Sequence, residues 1–144
     1  MSLTYDLTVG LTSSDRAELA KLADQLIPGD GTQPSASQAE VASVWIDEAL
    51  RIRPDLKDLL HVALELGARF DAGAAIDALH REHPDAFDAL GTLTAGAYFL
   101  NPRVRALIGY PGQVSVPLRD DVDTYVDMLE KVVDRGPVYR PTPG

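Results

Sequence analysis

Residues 95–113 read AGAYFLNPRVRALIGYPGQ. They contain two signals that end helices in this chain, a proline after a helical run and a turn rich in glycine and proline. A helix of small residues carries Tyr98 and Phe99 and ends at Asn101-Pro102, because proline cannot continue a helix. A short basic turn follows, and Gly109-Tyr110-Pro111-Gly112 then breaks the chain sharply. None of these residues forms a catalytic set, so the stretch predicts a surface shaped to fit a partner.

The same alternation of apolar helical faces and Pro/Gly breaks recurs towards both termini. Thr12-Ser13-Ser14-Asp15 resembles a capping box, and Pro28-Gly29-Asp30-Gly31 ends the helix that it opens. No alternating apolar and polar stretch is long enough to predict a sheet. The expected fold class is all-α, a single compact helical domain of about six helices over residues 1–135. An extended, proline-rich tail is expected over residues 136–144.

The composition excludes several function classes. The chain has 144 residues, and 13 basic against 22 acidic residues give a formal net charge of −9. An acidic surface repels phosphate backbones, so we expect no nucleic-acid partner. The absence of cysteine excludes disulfides, thiol catalysis and cysteine-ligated zinc.

The expected location follows from two further features of the sequence. No apolar run reaches the roughly 18 residues that span a bilayer, so we expect no direct membrane insertion. The first residues, Met1-Ser2-Leu3-Thr4-Tyr5-Asp6, lack the basic and apolar regions of a signal peptide. The sequence as written predicts a cytoplasmic protein, and export together with a partner would place it in the periplasm.

The three histidines are the best candidates for independent chemistry. His80 and His83 are spaced i, i+3 near two carboxylates, and two histidines with a carboxylate can bind zinc. His83 precedes Pro84, however, which pushes it out of helical geometry. His61 lies in an apolar helix without a serine or cysteine nucleophile assigned to it by any motif. We therefore expect no catalytic, cofactor-binding or metal-binding residue in this chain.

The remaining prominent side chains are aromatic and arginine residues, which are favoured anchors at protein interfaces. Trp45 and Phe99 fall at helical spacing, and we expect them to be mostly core; we also expect Leu107 to pack the core. The expected partner-binding residues lie along the 95–113 stretch and in the C-terminal tail: Tyr98, Arg103, Tyr110, Pro111, Tyr139 and Arg140.

Two segments together resemble the gluconate 2-dehydrogenase subunit 3 family. The first runs from Leu22 to Asp30 (LADQLIPGD) and continues with Pro34-Ser35-Ala36-Ser37. The second combines AYFLNPRV at 97–104 with LIGYPG at 107–112. The order and spacing of the two segments carry the resemblance, which spans roughly residues 12–115.

The resemblance implies a chaperone-like small subunit that holds no cofactor and assists the folding, stability or export of a large subunit. The implied partner is a flavoprotein of the glucose–methanol–choline oxidoreductase type, which carries FAD and oxidises sugars or alcohols. Some such complexes add a haem c subunit. Many family members begin with a twin-arginine signal, and this sequence has none.

Two alternatives belong to other classes. One is a standalone helical enzyme or metal protein that uses His61, His80 and His83. The other is a helical adaptor for an unrelated partner. An adjacent gene for a flavoprotein would favour the small-subunit hypothesis over both.

Overall fold

A computed structural model describes residues 10–115 and 121–138, and all the regular secondary structure in these two ranges is helical. The described part contains seven α-helices, joined by a π-helical turn at Val41–Trp45 and a 3-10 turn at Pro54–Leu56. The all-α expectation is therefore confirmed. The helices are α1 (Ser13–Leu26), α2 (Ile46–Ile52), α3 (Lys57–Arg69), α4 (Ala72–Glu82), α5 (Pro84–Leu100), α6 (Pro102–Leu107) and α7 (Val122–Arg135).

Helix α1 begins with the capping box that the sequence predicts. The backbone N–H of Thr12 donates to Asp15 Oδ2 at 2.9 Å, and the backbone N–H of Asp15 donates to Thr12 Oγ1 at 3.1 Å. These hydrogen bonds lower the pKa of Asp15 below its usual value, the backbone bond from Thr12 having the largest effect. Leu19, Leu22 and Ala23 then form the buried face of the helix.

The sequence predicts a helix after a cap at Ser35 or Ser37, with Val41, Val44, Trp45 and Ala49 as its apolar face. In the structure this second helical segment departs from a continuous helix. Its first regular turn is π-helical, since Glu40 accepts from both Val44 N and Trp45 N, and α2 begins only at Ile46. The predicted apolar face is correct for Val41 and Ala49, which are buried. It is wrong for Val44, which is 46% exposed. Trp45 is partly buried and packs against the core.

Helix α5 packs against α2, α3, α4, α6 and the π-helical turn. Its buried face consists largely of small and medium side chains, and alanines at contact positions allow neighbouring helices to approach closely. Phe99 follows the buried pair Ala97 and Tyr98, and the helical rotation turns it outward, where it is 49% exposed. The expectation that Phe99 packs the core is therefore wrong.

The chain divides into two units, Met1–Gly112 and Gln113–Gly144. The sequence prediction placed all residues up to 135 in one domain, whereas the second unit includes α7. Among the tail residues, 136–138 are described and have no regular structure, and Gly136 adopts a positive φ of 69° just after α7. The predicted extended conformation of the remaining tail concerns residues 139–144, which lie outside the described residues.

Candidate partner-binding surface

The loop between α1 and the π-helical turn, residues 27–40, forms one side of the candidate surface. Asp30 organises its first turn, because Asp30 Oδ1 accepts from the backbone N–H groups of Thr32 at 2.9 Å and Gln33 at 2.7 Å. These bonds lower the pKa of Asp30, with Gln33 as the larger cause. Gly29 has a φ of 77°, and a Cβ atom added there would lie 2.7 Å from the backbone nitrogen of Ser35. The loop closes tightly because residue 29 has no side chain.

Three side chains connect this loop to the neighbouring helices by hydrogen bonds. Asp24 on α1 accepts from Ser37 twice, from its backbone N–H at 2.7 Å and from its hydroxyl at 2.6 Å. Tyr98 on α5 donates its hydroxyl to the Pro34 carbonyl at 2.8 Å. The side-chain amide of Asn101 donates to the Ala39 carbonyl at 2.9 Å. The loop is therefore held from α1 and from the C-terminal end of α5.

Asn101 also determines where α6 begins. Its Oδ1 accepts from the backbone N–H of Arg103 at 2.9 Å, so the same side chain caps α6 and holds the loop. Pro102 occupies the first helical position, where its missing N–H costs no hydrogen bond. Asn101 is only 3% exposed, and the two bonds satisfy its buried amide at both ends.

The backbone of Glu40 adopts an uncommon conformation beside this fastening point. Its φ is 59°, in the left-handed region that residues with a side chain rarely occupy. Asn101 bonds the carbonyl of the preceding residue, and Val41 N donates to Ala36 O at 3.0 Å. These neighbouring hydrogen bonds stabilise the left-handed backbone conformation of Glu40, which by itself is unfavourable by on the order of 1 kcal/mol or more.

A cleft of about 260 Å³ lies between the loop and α6. Its apolar lining includes Pro34 and Ala39 on the loop side, and Val104 and Leu107 on the α6 side. The polar groups that line it include Thr32, Gln33, Gln38, Asn101 and Arg103. Most of these side chains can donate hydrogen bonds, and none of the described lining residues is acidic.

The charge of the residues that line the cleft differs in sign from the net charge of the whole protein. Arg103 and Arg105 are the only charged residues in the sequence from 89 to 118, although the chain has a net charge of −9. Neither forms an ion pair with a carboxylate of the described residues. Asp30 directs its carboxylate to its own loop's N–H groups and is not among the cleft residues. Arg103 is therefore the charged side chain of the described cleft lining.

The structure places the predicted partner-binding residues in different settings. Arg103 is exposed and lines the cleft, and Tyr110 and Pro111 are exposed beyond it. Tyr98 is instead buried, with 3% exposure, so its assignment as a contact side chain is corrected to that of a support beneath the loop. Burial, with a smaller effect from the Asp30 charge, raises its pKa. Tyr139 and Arg140 lie outside the described residues.

Exposed apolar side chains cluster in the sequence around α6. Phe99, Leu107, Ile108 and Tyr110 are 42–61% exposed. The expectation that Leu107 packs the core is wrong, because α6 ends at this residue and leaves the side chain on the cleft wall. Phe99 rests edge-on against Tyr98, with ring centroids 5.4 Å apart. Leu107 lines the cleft, and the other three are close to it in sequence, so this part of the chain offers exposed apolar area to a partner.

The sequence prediction did not identify Asn101, Gln38 or Asp24 as functional candidates. Asn101 could have been identified, since asparagine immediately before proline is a common helix-start signal. Gln38 exchanges hydrogen bonds with Ser35, accepting from its N–H at 2.9 Å. That pairing and the Asp24–Ser37 contact depend on the path of the loop, which composition and periodicity do not specify.

The histidines of the alternative hypothesis occupy ordinary structural positions. His80 packs edge-on against Phe87, with ring centroids 5.1 Å apart, and His83 joins α4 to α5. His61 is partly buried on α3, close enough to Asp15 to influence its pKa. Throughout residues 10–115 and 121–138, no group of three or more histidine and carboxylate side chains could hold a metal ion.

Helix α7 has a continuous apolar stripe within the second unit. Val122, Val126, Leu129 and Val133 follow helical spacing, and their side chains are 46–76% exposed. No other helix is present among the described residues of this unit, so the unit itself supplies no helix to pack against the stripe. An isolated helix of this length is marginally stable in water, which makes the stripe a second candidate contact surface.

In the described part of the chain, no helix has the length and apolar character needed to cross a membrane. Comparisons with models of protein families, with curated proteins and with solved structures give no match to this chain.

Proposed function

We propose that this chain is a non-catalytic small subunit that binds and stabilises the large subunit of an FAD-dependent sugar or alcohol oxidoreductase. The observation that carries the proposal is the meeting of the two segments that resemble the gluconate 2-dehydrogenase subunit 3 family. Tyr98 and Asn101 of the second segment bond Pro34 and Ala39, in and just beyond the first, at 2.8 and 2.9 Å. Residues distant in sequence therefore build one surface.

The character of that surface supports binding of a protein. A cleft lined by both apolar and polar groups, with one arginine, is bordered in sequence by exposed Phe99, Ile108 and Tyr110. Interfaces combine aromatic and arginine anchors in this way. The apolar stripe of α7 supports the same proposal, because an amphipathic helix gains stability when another surface covers it.

The proposed mechanism is thermodynamic. A subunit that binds only the folded large chain lowers the free energy of that folded state, and the stabilisation grows with the concentration of free small subunit. FAD, the catalytic residues and the choice of sugar or alcohol would belong to the large subunit, of the glucose–methanol–choline type. A haem c subunit could then complete the complex as an electron acceptor.

Co-expression with a flavoprotein of that type, encoded next to this chain, tests the proposal. We expect the two chains to co-purify in a constant ratio through size exclusion, with flavin absorbance in the same peak. The complex should reduce an electron-accepting dye when sugar or alcohol is added. Equal yield, thermal stability and turnover of the large subunit without this chain would contradict the proposal.

A matched pair of variants identifies the surface involved. Tyr110→Ala should weaken binding about tenfold, the effect of losing an aromatic anchor worth over 1 kcal/mol. Phe70→Ala provides the control, since Phe70 is similarly exposed (51% against 53%) but lies between α3 and α4. Equal weakening of binding by both variants would show that Tyr110 contributes no more than an exposed aromatic residue elsewhere on the protein.

A further inference from the structure

We propose that the cleft between the 27–40 loop and α6 receives a segment of the large subunit in which an acidic residue is flanked by aliphatic residues. In this arrangement Arg103 binds the carboxylate, while Leu107 and Pro34 contact the aliphatic neighbours. This inference rests on the proposed function and specifies the chemistry of the partner.

Charge complementarity is the first argument. Among the described residues that line the cleft, Arg103 is the only charged one, and it has no ion-pair partner in that part of the chain. A guanidinium group presents its donors as a planar fork that matches a carboxylate. Physiological salt screens exposed charges beyond about 8 Å, so acidic side chains farther from Arg103 than that oppose the binding of a carboxylate only weakly.

The distribution of hydrogen-bonding groups is the second argument. Gln38 accepts from Ser35 N through Oε1, which leaves the two hydrogens of its Nε2 available to donate. Asn101 uses one hydrogen of its Nδ2 to hold the loop and its Oδ1 to cap α6. The available donors of Gln38 and Arg103 favour an occupant rich in acceptors, such as a carboxylate and the carbonyls of an extended peptide.

The size of the cleft is the third argument. Its volume of about 260 Å³ falls below the roughly 300–1,000 Å³ typical of pockets for small molecules. It suits one or two side chains of a protein segment. Leu107 is 61% exposed on one wall, and its position next to the charge provides an apolar contact that a free small carboxylate would leave unused.

The first test measures affinity in the purified two-subunit complex. Arg103→Ala should raise the dissociation constant at least about tenfold, and Arg103→Glu about a hundredfold or more, with a weaker salt dependence in both. The Arg103 side chain is exposed and makes none of the bonds that hold the loop, so both variants should fold. Arg69→Ala and Arg69→Glu are the controls, because Arg69 is an exposed arginine elsewhere, without an ion pair to a described residue.

The second test detects the carboxylate directly. In an Arg103→Lys variant, a carbodiimide should join the introduced amine to a partner carboxylate as an amide, the carbodiimide taking up the water as a urea. Peptide mass spectrometry should locate this link at an aspartate, a glutamate or the C-terminus of the large subunit, in a complex of Arg103→Lys but not of Arg69→Lys.

Three outcomes would overturn the inference. They are unchanged affinity in both Arg103 variants, a link only to a second copy of this chain, or no link beyond that of Arg69→Lys. In each case the wild-type complex with the flavoprotein would still form, and the proposed function would stand. Failure of the wild-type chains to associate would instead contradict the proposed function itself.

Discussion

The side-chain amide of Asn101 donates a 2.9 Å hydrogen bond to the backbone carbonyl of Ala39, 62 positions earlier in the sequence. The same asparagine accepts from Arg103 N, so a single buried residue fixes both the 27–40 loop and the start of α6. Both walls of the cleft thus depend on one side chain. This arrangement connects the stability of the fold with the shape of the candidate surface.

Asn101→Ala should lower the free energy of unfolding by roughly 2–4 kcal/mol, because it removes the cap of α6 and leaves the Ala39 carbonyl without its donor. Chemical denaturation monitored by circular dichroism measures this loss. Asn101→Asp keeps the acceptor for Arg103 N but lacks the donor to Ala39. If Asn101→Asp is as stable as the wild type at neutral pH, the bond to Ala39 contributes nothing and the prediction is wrong.

Tyr98→Phe should cost about 0.5–1.5 kcal/mol at neutral pH, since it removes the hydroxyl that donates to Pro34. The pKa of Tyr98 is raised in the folded state, so its contribution is fully present below the ordinary tyrosine pKa of about 10. That contribution is lost as pH rises from there through the folded pKa. The stability difference from wild type should therefore shrink as pH rises above about 10.

Tyr110→Phe is the control for this pH series, because Tyr110 is 53% exposed. We expect its stability to follow that of the wild type within about 0.5 kcal/mol at every pH. A constant difference between wild type and Tyr98→Phe through alkaline pH would contradict the role given to the buried hydroxyl.

Thr12→Ala should cost about 1 kcal/mol, because it removes the hydroxyl that accepts from Asp15 N and leaves only the backbone half of the capping box. The pKa of Asp15 is lowered in the folded state, so its stabilisation is present above about pH 4 and is lost as pH falls through the lowered value. The difference from wild type in urea unfolding should narrow below about pH 4.

Ser14→Ala tests whether this effect is specific to the cap. Ser14 is exposed in the same first turn, and alanine there favours the helix slightly. A loss of stability in Ser14→Ala equal to that in Thr12→Ala would assign the effect to the general composition of the turn.

Features set by local sequence could be predicted, and features set by side-chain placement in three dimensions could not. The capping box at Thr12 and the helix breaks at prolines depend on neighbouring residues, and the structure confirms them. The exposure of Phe99 depends on which face of α5 the other helices cover. Helical periodicity gives the angle about the helix axis that separates Phe99 from Tyr98. It does not show which of the two side chains faces the neighbouring helices.

The candidate surface shows the same division. Arg103, Tyr110 and Pro111 could be selected from the sequence as anchor types in a broken stretch, and all three are exposed. The pairing of Asn101 with Ala39 links segments 62 positions apart, and no local rule specifies it. The inward position of Tyr98 has the same cause, since its hydroxyl meets a carbonyl of the distant loop.

Gly29→Ala should destabilise the protein more than Gly31→Ala, by at least about 1 kcal/mol, although both glycines have positive φ. Strain of the backbone, roughly 1–2 kcal/mol, is common to the two substitutions. A Cβ atom at position 29 would also lie 2.7 Å from Ser35 N and 3.1 Å from Gln33 O, whereas nothing lies within 4 Å at position 31. Thermal and urea unfolding of the two variants measure the difference.

The Gly29 substitution should also weaken binding of the large subunit. A shift of Ser35 displaces its neighbour Pro34 and its hydrogen-bond partner Gln38, and both line the cleft. Gly31→Ala is again the control, because its added methyl group faces open space. Equal stability and equal affinity of the two variants would show that the loop can close without the close approach at Gly29, and that the cleft does not depend on it.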